Sequence, residues 1–300
     1  MSCILITGCN GMIGSALTRE LLNKGYTIIG IDKKNNSDIS DDENKFKFYN
    51  IDLFDTQKLS DVFKENDISH VIHLAALAHT NNEGDLSWDT YYKINVTSSV
   101  NIFTSALENN CNLLFISTID VYGITSGVVT SNTECKPISN YAKSKYLAEE
   151  KLKELCINYN KTATVYRLSP VYTDEIKRDI QKRYYIKYPH IAYRIGKGID
   201  YEFLYIHNAI SSFVKWVETY EAKKTEEGSV NIAIIKDPKP INTAKCLLNE
   251  RKNGKAKVII YIPYWCIKLI YGIAKKIAGK TNLVFLLSKV VNPIKTNNGW

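Results

Sequence analysis

Three glycines at three-residue intervals near the amino terminus constrain the fold of this chain more than any other feature. Gly8, Gly11 and Gly14 follow an apolar run and open a segment with helical periodicity. Gly8 permits a tight turn, Gly11 leaves room for a pyrophosphate, and Gly14 lets the helix pack closely on a sheet. The amino end of such a helix offers N–H groups to phosphates. The predicted cofactor-binding residues of this dinucleotide loop are Gly8, Asn10, Gly11, Met12, Ile13 and Gly14.

Short apolar runs alternate with helix-period segments through the first 170 residues. The runs lack strict apolar–polar alternation, which is typical of strands buried on both faces of a parallel sheet. Repeated strand–helix alternation predicts an α/β fold with a Rossmann-type, doubly wound parallel sheet. The predicted strands are Cys3–Ile6, Thr27–Ile31, Phe46–Ile51, His70–Leu74, Leu113–Ser117 and Ala163–Leu168, and the predicted helices are 12–24, 56–66, 90–109 and 141–158.

After residue 170 the pattern becomes irregular. We therefore predict a dinucleotide-binding domain over 1–170 and a smaller substrate-binding lobe over 171–300, with segments such as 203–222 returning to the first domain. The predicted elements of this second half are a strand at Phe203–Ile206, a helix at 208–222, a strand at Val230–Ile235 and two further helices.

Charge and cysteine content narrow the function classes. The net charge is +8, but the basic residues are dispersed and form no nucleic-acid-binding motif, so we expect no nucleic-acid partner. The seven cysteines are odd in number and form no CxxC pair, which argues against a disulfide framework and against a metal site. The first predicted strand begins at Cys3, so we expect no signal peptide and a cytoplasmic location.

The segment 258–291 is the most apolar part of the second half. Lys268, Lys275 and Lys276 interrupt it, and no uninterrupted run reaches the roughly 18 apolar residues of a membrane span. A helix that packs on the core is the favoured interpretation. A peripheral amphipathic helix at a membrane surface is the alternative.

The ends of the predicted strands supply further cofactor contacts. Asp32 ends the second strand, where a carboxylate binds ribose hydroxyls and repels a 2′-phosphate, which favours NAD. The adjacent Lys33 and Lys34 leave NADP open as the alternative. Asp52 and Leu53 end the third strand, where Asp52 could reach the adenine.

Small residues follow the fourth strand. Leu74, Ala75 and Ala76 come directly after His73, and small side chains there let a cofactor lie against the backbone. His73 itself lies within an apolar strand, so a structural role is the favoured interpretation.

A tyrosine and a lysine four residues apart form the candidate catalytic pair. Tyr141 and Lys145 share one helical face. A phenol with a pKa near 10 is a poor base, but a neighbouring ammonium and a cationic nicotinamide favour the phenolate and lower that pKa. Thr118 follows another strand, where its hydroxyl can hydrogen-bond the reacting oxygen. The three side chains predict proton exchange with a substrate hydroxyl as hydride moves.

With these motifs in place, the chain resembles an extended short-chain dehydrogenase/reductase of the NAD-dependent epimerase/dehydratase family. The matching motifs are the Thr7–Gly14 loop, Asp32, Asp52-Leu53, the alanines after His73, Asn95, Ser117–Gly123, Tyr141–Lys145, Arg167–Tyr172 and the final Gly299-Trp300. The resemblance implies that Thr118 hydrogen-bonds the substrate hydroxyl, Tyr141 is the general acid/base, and Lys145 holds the nicotinamide ribose and lowers the pKa of Tyr141. It gives Asn95 a structural or relay role, and it places Asn95, Tyr141 and Lys145 among the cofactor-binding residues. It also implies nucleotide-sugar substrates and a homodimer formed through helices 90–109 and 141–158.

The sequence departs from the family pattern in its substrate region. The 4,6-dehydratases carry Asp-Glu after the hydroxyl residue, whereas this chain has Ile119 and Asp120, so dehydratase activity is disfavoured. Tyr201 stands where members often place an arginine for the substrate diphosphate, and Asn208 replaces an acidic residue. From the basic segment that begins at Lys177, we predict that Arg183 or Arg194 supplies the missing cation.

The leading functional hypothesis is a nucleotide-sugar 4-epimerase that transiently oxidises a ring hydroxyl to a ketone, in the setting of polysaccharide biosynthesis. The alternative is an NAD(P)H-dependent reductase of nucleotide 4-keto sugars, which would use the same three catalytic residues. A non-catalytic dinucleotide sensor is disfavoured because both Tyr141 and Lys145 are present. A reductase of steroid-like substrates is disfavoured by the polar 173–198 segment.

Overall fold

A computed structural model describes residues 2–34, 45–78, 86–125, 127–219, 227–278 and 282–297 of the chain. The strands are β1 Cys3–Thr7, β2 Thr27–Asp32, β3 Phe46–Asn50, β4 Ile68–His73, β5 Asn112–Thr118, β6 Val128–Val129, β7 Ala163–Leu168, β8 Val171–Tyr172, β9 Tyr185–Lys187, β10 Ile191–Ile195, β11 Asp200–Tyr201, β12 Leu204–Tyr205, β13 Val230–Ile235, β14 Ile241–Asn242, β15 Val258–Ile262 and β16 Lys295–Thr296. The helices are α1 Met12–Asn23, α2 Thr56–Glu65, α3 Trp88–Tyr91, α4 Ser98–Glu108, α5 Asn140–Tyr159, α6 Arg178–Gln181, α7 Ile206–Thr219, α8 Thr243–Lys252, α9 Tyr264–Ala278 and α10 Asn282–Val291. The Gly299-Trp300 motif lies outside the described residues.

A seven-stranded parallel sheet in the order β13-β7-β5-β4-β1-β2-β3 takes its strands from residues 3–235. The order reverses between β1 and β4, which pair directly. In doubly wound sheets a ligand binds at the carboxyl ends of the strands beside such a reversal. The predicted fold class is confirmed, and each of the six strands predicted before residue 170 is present.

The chain divides into two compact units. The first comprises residues 1–121, 139–167 and 209–233. Its core joins side chains from the strands, such as Ile29 and Phe115, to side chains from the flanking helices, such as Phe103 of α4 and Leu152 of α5. All four are essentially inaccessible to solvent, which is expected when both faces of a parallel sheet are covered by helices.

The predicted helix over 90–109 is interrupted by a wider turn. The chain forms α3, then a π-helical turn at Tyr92–Thr97, and only then α4. Asn95 lies in this π turn and is fully buried. The extra residue in a π-helical turn changes the direction in which the following side chains point. Such turns occur often at functional sites.

The second unit comprises residues 122–138, 168–208 and 234–300, of which 126, 279–281 and 298–300 are not described. It contains a three-stranded sheet in the order β15-β10-β9, in which β15 pairs parallel and β9 antiparallel to β10. Its core includes Tyr184, Tyr201 and Phe203.

Several predictions for this second half need correction. The predicted strand at Phe203–Ile206 is only Leu204–Tyr205, and the helix expected to begin at residue 208 begins at Ile206. In the described part of the chain after Val230–Ile235 there are three helices instead of two. The segment 258–291 opens with strand β15, because its β-branched residues pair along the whole of β10.

The favoured core-packing interpretation of 258–291 holds for only part of the segment. Val284 and Phe285 of α10 are buried, but Trp265, Leu269 and Ile277 of α9 are more than half exposed. Among the described residues, no helix is both long enough and apolar enough to cross a membrane.

Candidate cofactor and catalytic site

The glycine loop forms a tight backbone turn at the carboxyl end of β1. Gly8 has a φ of +71°, and a Cβ on it would lie 2.8 Å from the amide nitrogen of Ala75. A Cβ on Gly14 would overlap the carbonyl oxygen of Gly8. Gly11 caps α1 and is exposed to solvent. The loop therefore requires glycine at Gly8 for its turn and at Gly14 for its helix packing, while Gly11 keeps the start of α1 open.

A hydrogen-bonded link joins this loop to the end of β2. The two carboxylate oxygens of Asp32 accept the backbone N–H groups of Asn10 and Lys34, each at 3.1 Å. The Asn10 side-chain amide donates to the Lys34 carbonyl. Asp32 thus lies beside the loop with which sequence reasoning had grouped it.

Lys33, the residue that leaves NADP open, is paired with Asp52. The Lys33 ammonium lies 2.8 Å from the Asp52 carboxylate, and both side chains are about half exposed. Burial of Asp52 acts to raise its carboxyl pKa, but the hydrogen bonds from Lys33 and from the Phe54 N–H outweigh it, and the pKa falls. Much of the charge of Lys33 is therefore balanced within the protein.

These residues fit a bound NAD. The glycine loop leaves the start of α1 open at Gly11, where the first N–H groups of a helix lack partners in their own helix. The side-chain oxygen of Asn10 is buried without a hydrogen-bond partner among the described residues. Asp32 presents a carboxylate at the next strand end. Together they could hold a pyrophosphate and an adenosine ribose.

His73 occupies a structural position at the end of β4. Its Nδ1 lies 2.6 Å from the Thr7 hydroxyl, and its Nε2 lies 2.8 Å from the Ser99 hydroxyl. Burial, reinforced by the charge of Lys145, lowers the pKa of His73 well below its ordinary value. A neutral, fully buried imidazole with both nitrogens hydrogen-bonded agrees with the predicted structural role.

Asn95 connects the loop after β4 to α5. Its side-chain oxygen accepts the Leu77 N–H at 2.7 Å, and its amide donates to the Leu77 carbonyl at 3.1 Å and to the Ser144 hydroxyl at 2.9 Å. The Ser144 hydroxyl in turn donates to the carbonyl of Tyr141. Asn95 therefore fixes the loop that follows Ala75 and Ala76 against the amino-terminal turn of α5.

The helix that carries the candidate catalytic pair begins at Asn140. Ser139 caps it by accepting the Ala142 N–H at 3.2 Å, which is the usual role of a serine at this position. Lys145, one turn into the helix, is 2% exposed, and its ammonium lies 4.1 Å from the ring centre of Phe115 in β5. Burial lowers the pKa of Lys145 to about 7, against the opposing influence of the Glu149 carboxylate.

The protein's own groups raise the pKa of Tyr141, through burial and through the nearby Asp120 carboxylate and Tyr91. The lowered pKa that we expect from the Lys145 ammonium together with a cationic nicotinamide stays a prediction. The surrounding side chains therefore keep the phenol protonated. Thr118 is largely buried at the end of β5, where its oxygen accepts the Asp120 N–H at 3.2 Å.

A buried ion pair behind Lys145 was missed by sequence reasoning. Arg167 of β7 donates to Glu149 of α5, with its Nη2 2.6 Å from Oε2, and the Ser117 hydroxyl of β5 donates to the same carboxylate. Arg167 and Glu149 are 2% and 0% exposed. Glu149 lies four residues after Lys145 and eight after Tyr141, so helical spacing could have placed it on the same face of α5 as these two residues. The pair fixes α5 to two strands of the sheet.

In the second unit, Arg183 and Arg194 have different surroundings. The Arg183 guanidinium lies 4.7 Å from the ring centre of Tyr201, and its Nε is buried with no hydrogen-bond partner among the described residues. The Nε of Arg194 donates to the Gly196 carbonyl at 3.0 Å. Arg183 therefore stacks on the residue that stands at the family's usual arginine position.

Asn208 stands at the position where the resembled family carries an acidic residue. In the structure it contacts an acidic residue from another part of the chain, Asp237. Its amide donates to Asp237 at 2.8 Å, and the same carboxylate accepts from the Tyr205 N–H and the Tyr172 hydroxyl. The second unit therefore has a carboxylate next to Asn208, and that carboxylate belongs to Asp237.

Comparison with known proteins gives related sequences and folds. A sequence model of the NAD dependent epimerase/dehydratase family matches residues 4–233. The UDP-glucose 4-epimerase of Caenorhabditis elegans is 34% identical over 166 residues, which cover 49% of this chain and 47% of that protein. The enzyme of the same name from Drosophila melanogaster is 31% identical over 180 residues, 54% of this chain and 51% of that protein. The chain thus spans about half the length of the curated relatives it matches.

Solved structures resemble a larger share of the chain. The UDP-glucuronic acid 4-epimerase of Bacillus cereus, in complex with NAD, has a TM-score of 0.68 and 24% identity and covers 87% of each chain. MoeE5 in complex with UDP-glucuronic acid and NAD has a TM-score of 0.67 and 21% identity, with 87% of this chain and 86% of that chain covered. At these identities the likeness shows the fold.

Proposed function

Because the chain belongs to the NAD-dependent epimerase/dehydratase family, we propose that it is a nucleotide-sugar 4-epimerase. The match confirms the predicted family and, with it, the NAD-dependent class of enzyme. NAD is the cofactor of this family, as predicted. The sugar, the nucleotide and the position of the reacting carbon belong to the proposal.

The observation that carries the proposal is the arrangement of Tyr141, Lys145 and Thr118 in the first unit. A buried lysine whose pKa lies near 7 is one turn from a tyrosine whose pKa is raised. Groups whose surroundings push their pKa values apart are typical of acid–base pairs at active sites. Thr118 ends β5, the strand whose Phe115 ring lies against the Lys145 ammonium.

NAD, when bound, supplies the acceptor and later the donor of a hydride. As a phenolate, Tyr141 takes the proton of the sugar hydroxyl as the hydride leaves the carbon and the hydroxyl becomes a ketone. The resulting phenol returns that proton when the alcohol re-forms. Thr118 can donate its hydroxyl hydrogen to the same sugar oxygen, since its own oxygen already accepts the Asp120 N–H. Because the protein keeps Tyr141 protonated, a positive charge is needed to make it a base, and the Lys145 ammonium on the same helical face can provide that charge.

The substrate class is supported by the relatives and by Arg183. Both relatives described above carry the name UDP-glucose 4-epimerase. A nucleotide sugar brings a diphosphate, and the fork of an arginine can donate two parallel hydrogen bonds to it. We favour Arg183 over Arg194, because the Nε of Arg194 is already bonded to Gly196.

The direct test is to incubate the purified protein with UDP-glucose, UDP-N-acetylglucosamine or UDP-glucuronic acid and NAD, without reduced cofactor. NMR of the products should show inversion at C4 and no net NADH formation. Tyr141→Phe is the control, since it keeps the fold but lacks the phenol. A second incubation contains a nucleotide 4-keto sugar and NADH. If that sugar is reduced with stoichiometric loss of NADH while none of the three sugars interconverts, the protein is the alternative reductase and the epimerase proposal is wrong.

Assembly and location stay predictions. A homodimer through α4 and α5 would be tested by sedimentation, and a cytoplasmic location by fractionation of the source cells.

A further inference from the structure

The basic residues of the chain are concentrated at its carboxyl end. Residues 251–300 contain ten basic residues and no acidic residue, whereas the whole chain has a net charge of +8, so residues 1–250 carry a net charge of −2. The ten are Arg251, Lys252, Lys255, Lys257, Lys268, Lys275, Lys276, Lys280, Lys289 and Lys295. A charge asymmetry of this size favours an anionic partner for this end of the chain.

Helix α9 presents an apolar stripe to solvent. Trp265, Leu269, Ile273 and Ile277 recur every fourth residue and therefore share one face of the helix. They are 66%, 57%, 50% and 82% exposed. A soluble helix ordinarily turns such a face toward its core, so a stripe this exposed indicates a contact outside the chain.

Large apolar side chains are also exposed on the neighbouring elements. Leu283 and Leu286 of α10 are more than half exposed, as is Tyr261 at the end of β15. Trp265 also lines a groove of about 660 Å³ that includes the lysines Lys197 and Lys295. Apolar side chains and cations thus lie together in this part of the second unit.

Two of the three lysines of α9 are exposed along one edge of the stripe. Lys268 and Lys275 are seven residues apart and share that side of the helix, whereas Lys276 is exposed between Trp265 and Leu269 around the helix, within the stripe itself. A helix with an apolar face, a tryptophan and lysines at the boundary matches the physical requirements of an interfacial membrane helix.

We propose that α9 and α10 dock the second unit on an anionic lipid surface. The apolar stripe enters the boundary between headgroups and acyl chains, and the flanking lysines contact lipid phosphates. A second copy of the chain is a poorer occupant, because a symmetric contact would place two acid-free segments of net charge +10 against each other. The proposal does not depend on the proposed enzymatic activity.

The test is co-sedimentation of the full-length protein with vesicles. We expect binding to vesicles of about 30% phosphatidylglycerol in phosphatidylcholine, no binding to phosphatidylcholine alone, and release as salt is raised. The triple variant Lys268→Gln, Lys275→Gln, Lys276→Gln should bind roughly 100-fold more weakly at low salt, since each lysine near an anionic surface contributes about fivefold. The matched control replaces Lys45, Lys58 and Lys64 of the first unit with Gln. These three lysines are also exposed, and the control should bind like the wild type.

A second variant tests insertion of the apolar stripe. Leu269→Ser with Ile273→Ser removes exposed side chains, so its melting temperature should be unchanged while vesicle binding falls at least tenfold. Equal binding of this variant and the wild type would refute insertion. Equal binding to neutral and anionic vesicles would refute the role of the lysines. A wild-type dimer that this variant converts to a monomer would identify a second copy of the chain as the occupant and overturn the proposal.

Discussion

Replacing Lys145 with methionine should stabilise the protein while abolishing its activity. The Lys145 side chain is 2% exposed, and burial brings its pKa down from 10.5 to about 7. The unfolded chain therefore holds the proton more tightly than the folded protein does. Methionine has a similar length and no charge, so it can fill the same space against Phe115 without the cost of burying an ammonium.

The size of the effect follows from the pKa. A fall from 10.5 to about 7 corresponds to about 5 kcal/mol at about 1.36 kcal/mol per tenfold change in proton affinity. Relaxation and water penetration in the folded protein reduce this cost, so we expect about 2–4 kcal/mol of stabilisation at pH 6.5. Because the folded pKa is the lower one, the cost is complete below pH 7, shrinks as pH rises through 7 to 10.5, and vanishes above that.

The assay is thermal unfolding of the wild type, Lys145→Met and the control Lys143→Met at pH 6.5 and pH 9.0. Lys143 is exposed on the same helix and should shift the unfolding free energy by less than about 0.5 kcal/mol. Lys145→Met should melt several degrees above the wild type at pH 6.5, with a smaller difference at pH 9.0. A variant less stable than the wild type at pH 6.5, or a difference independent of pH, would refute the reasoning.

Further predictions concern the cofactor, the substrate and the buried ion pair. Tyr141→Phe should lower the rate about 10²- to 10⁴-fold with NAD affinity nearly intact by fluorescence titration; a variant that keeps more than about a tenth of the rate would exclude the phenol as the main acid/base. NADH should bind more tightly than NADPH, because Asp32 repels a 2′-phosphate and Asp52 balances Lys33; the reverse order in calorimetry contradicts this. Arg183→Ala should raise KM for the sugar nucleotide about tenfold or more, with Arg178→Ala as the exposed control and NAD affinity unchanged; an unaltered KM would rule out Arg183. Glu149→Gln should cost about 3–5 kcal/mol in urea unfolding, because Arg167 is left buried without its counter-ion; a cost below about 1 kcal/mol would mean that the pair is not electrostatically coupled.

Local signals in the sequence were sufficient to predict the strands and the helix around the glycine loop. Gly8 and Gly14 need glycine for steric reasons that involve only nearby backbone, so the turn and the start of α1 could be located from the sequence alone. The runs that form β1, β2, β4 and β5 are mostly apolar because the inner part of the sheet is covered on both faces, and burial of that kind is visible in composition.

The features that the sequence did not reveal depend on distant partners. The π turn at Tyr92–Thr97 has the apolar spacing of an ordinary helix, and its register changes where Asn95 bonds to Leu77 and Ser144. The raised pKa of Tyr141 depends on burial and on Asp120, which only the fold brings close. The strand β15 depends on β10, a partner more than sixty residues earlier.

The hydrogen-bond chain that begins at His73 has a consequence for how the pH dependence of activity is interpreted. The Ser99 hydroxyl, which contacts His73, donates to the backbone carbonyl of Asn95. The side-chain amide of Asn95 donates to the Ser144 hydroxyl, which donates to the carbonyl of Tyr141, and every one of these groups is neutral. Since the pKa of His73 is held well below its ordinary value, no member of this chain gains or loses a charge near neutral pH. The hydrogen-bonded scaffold under α5, which carries the candidate catalytic residues, therefore keeps the same charge in that pH range. A change in rate between pH 6 and pH 8 should report the charge state of the reacting groups, with Lys145 foremost, and not a loosening of the framework that holds them.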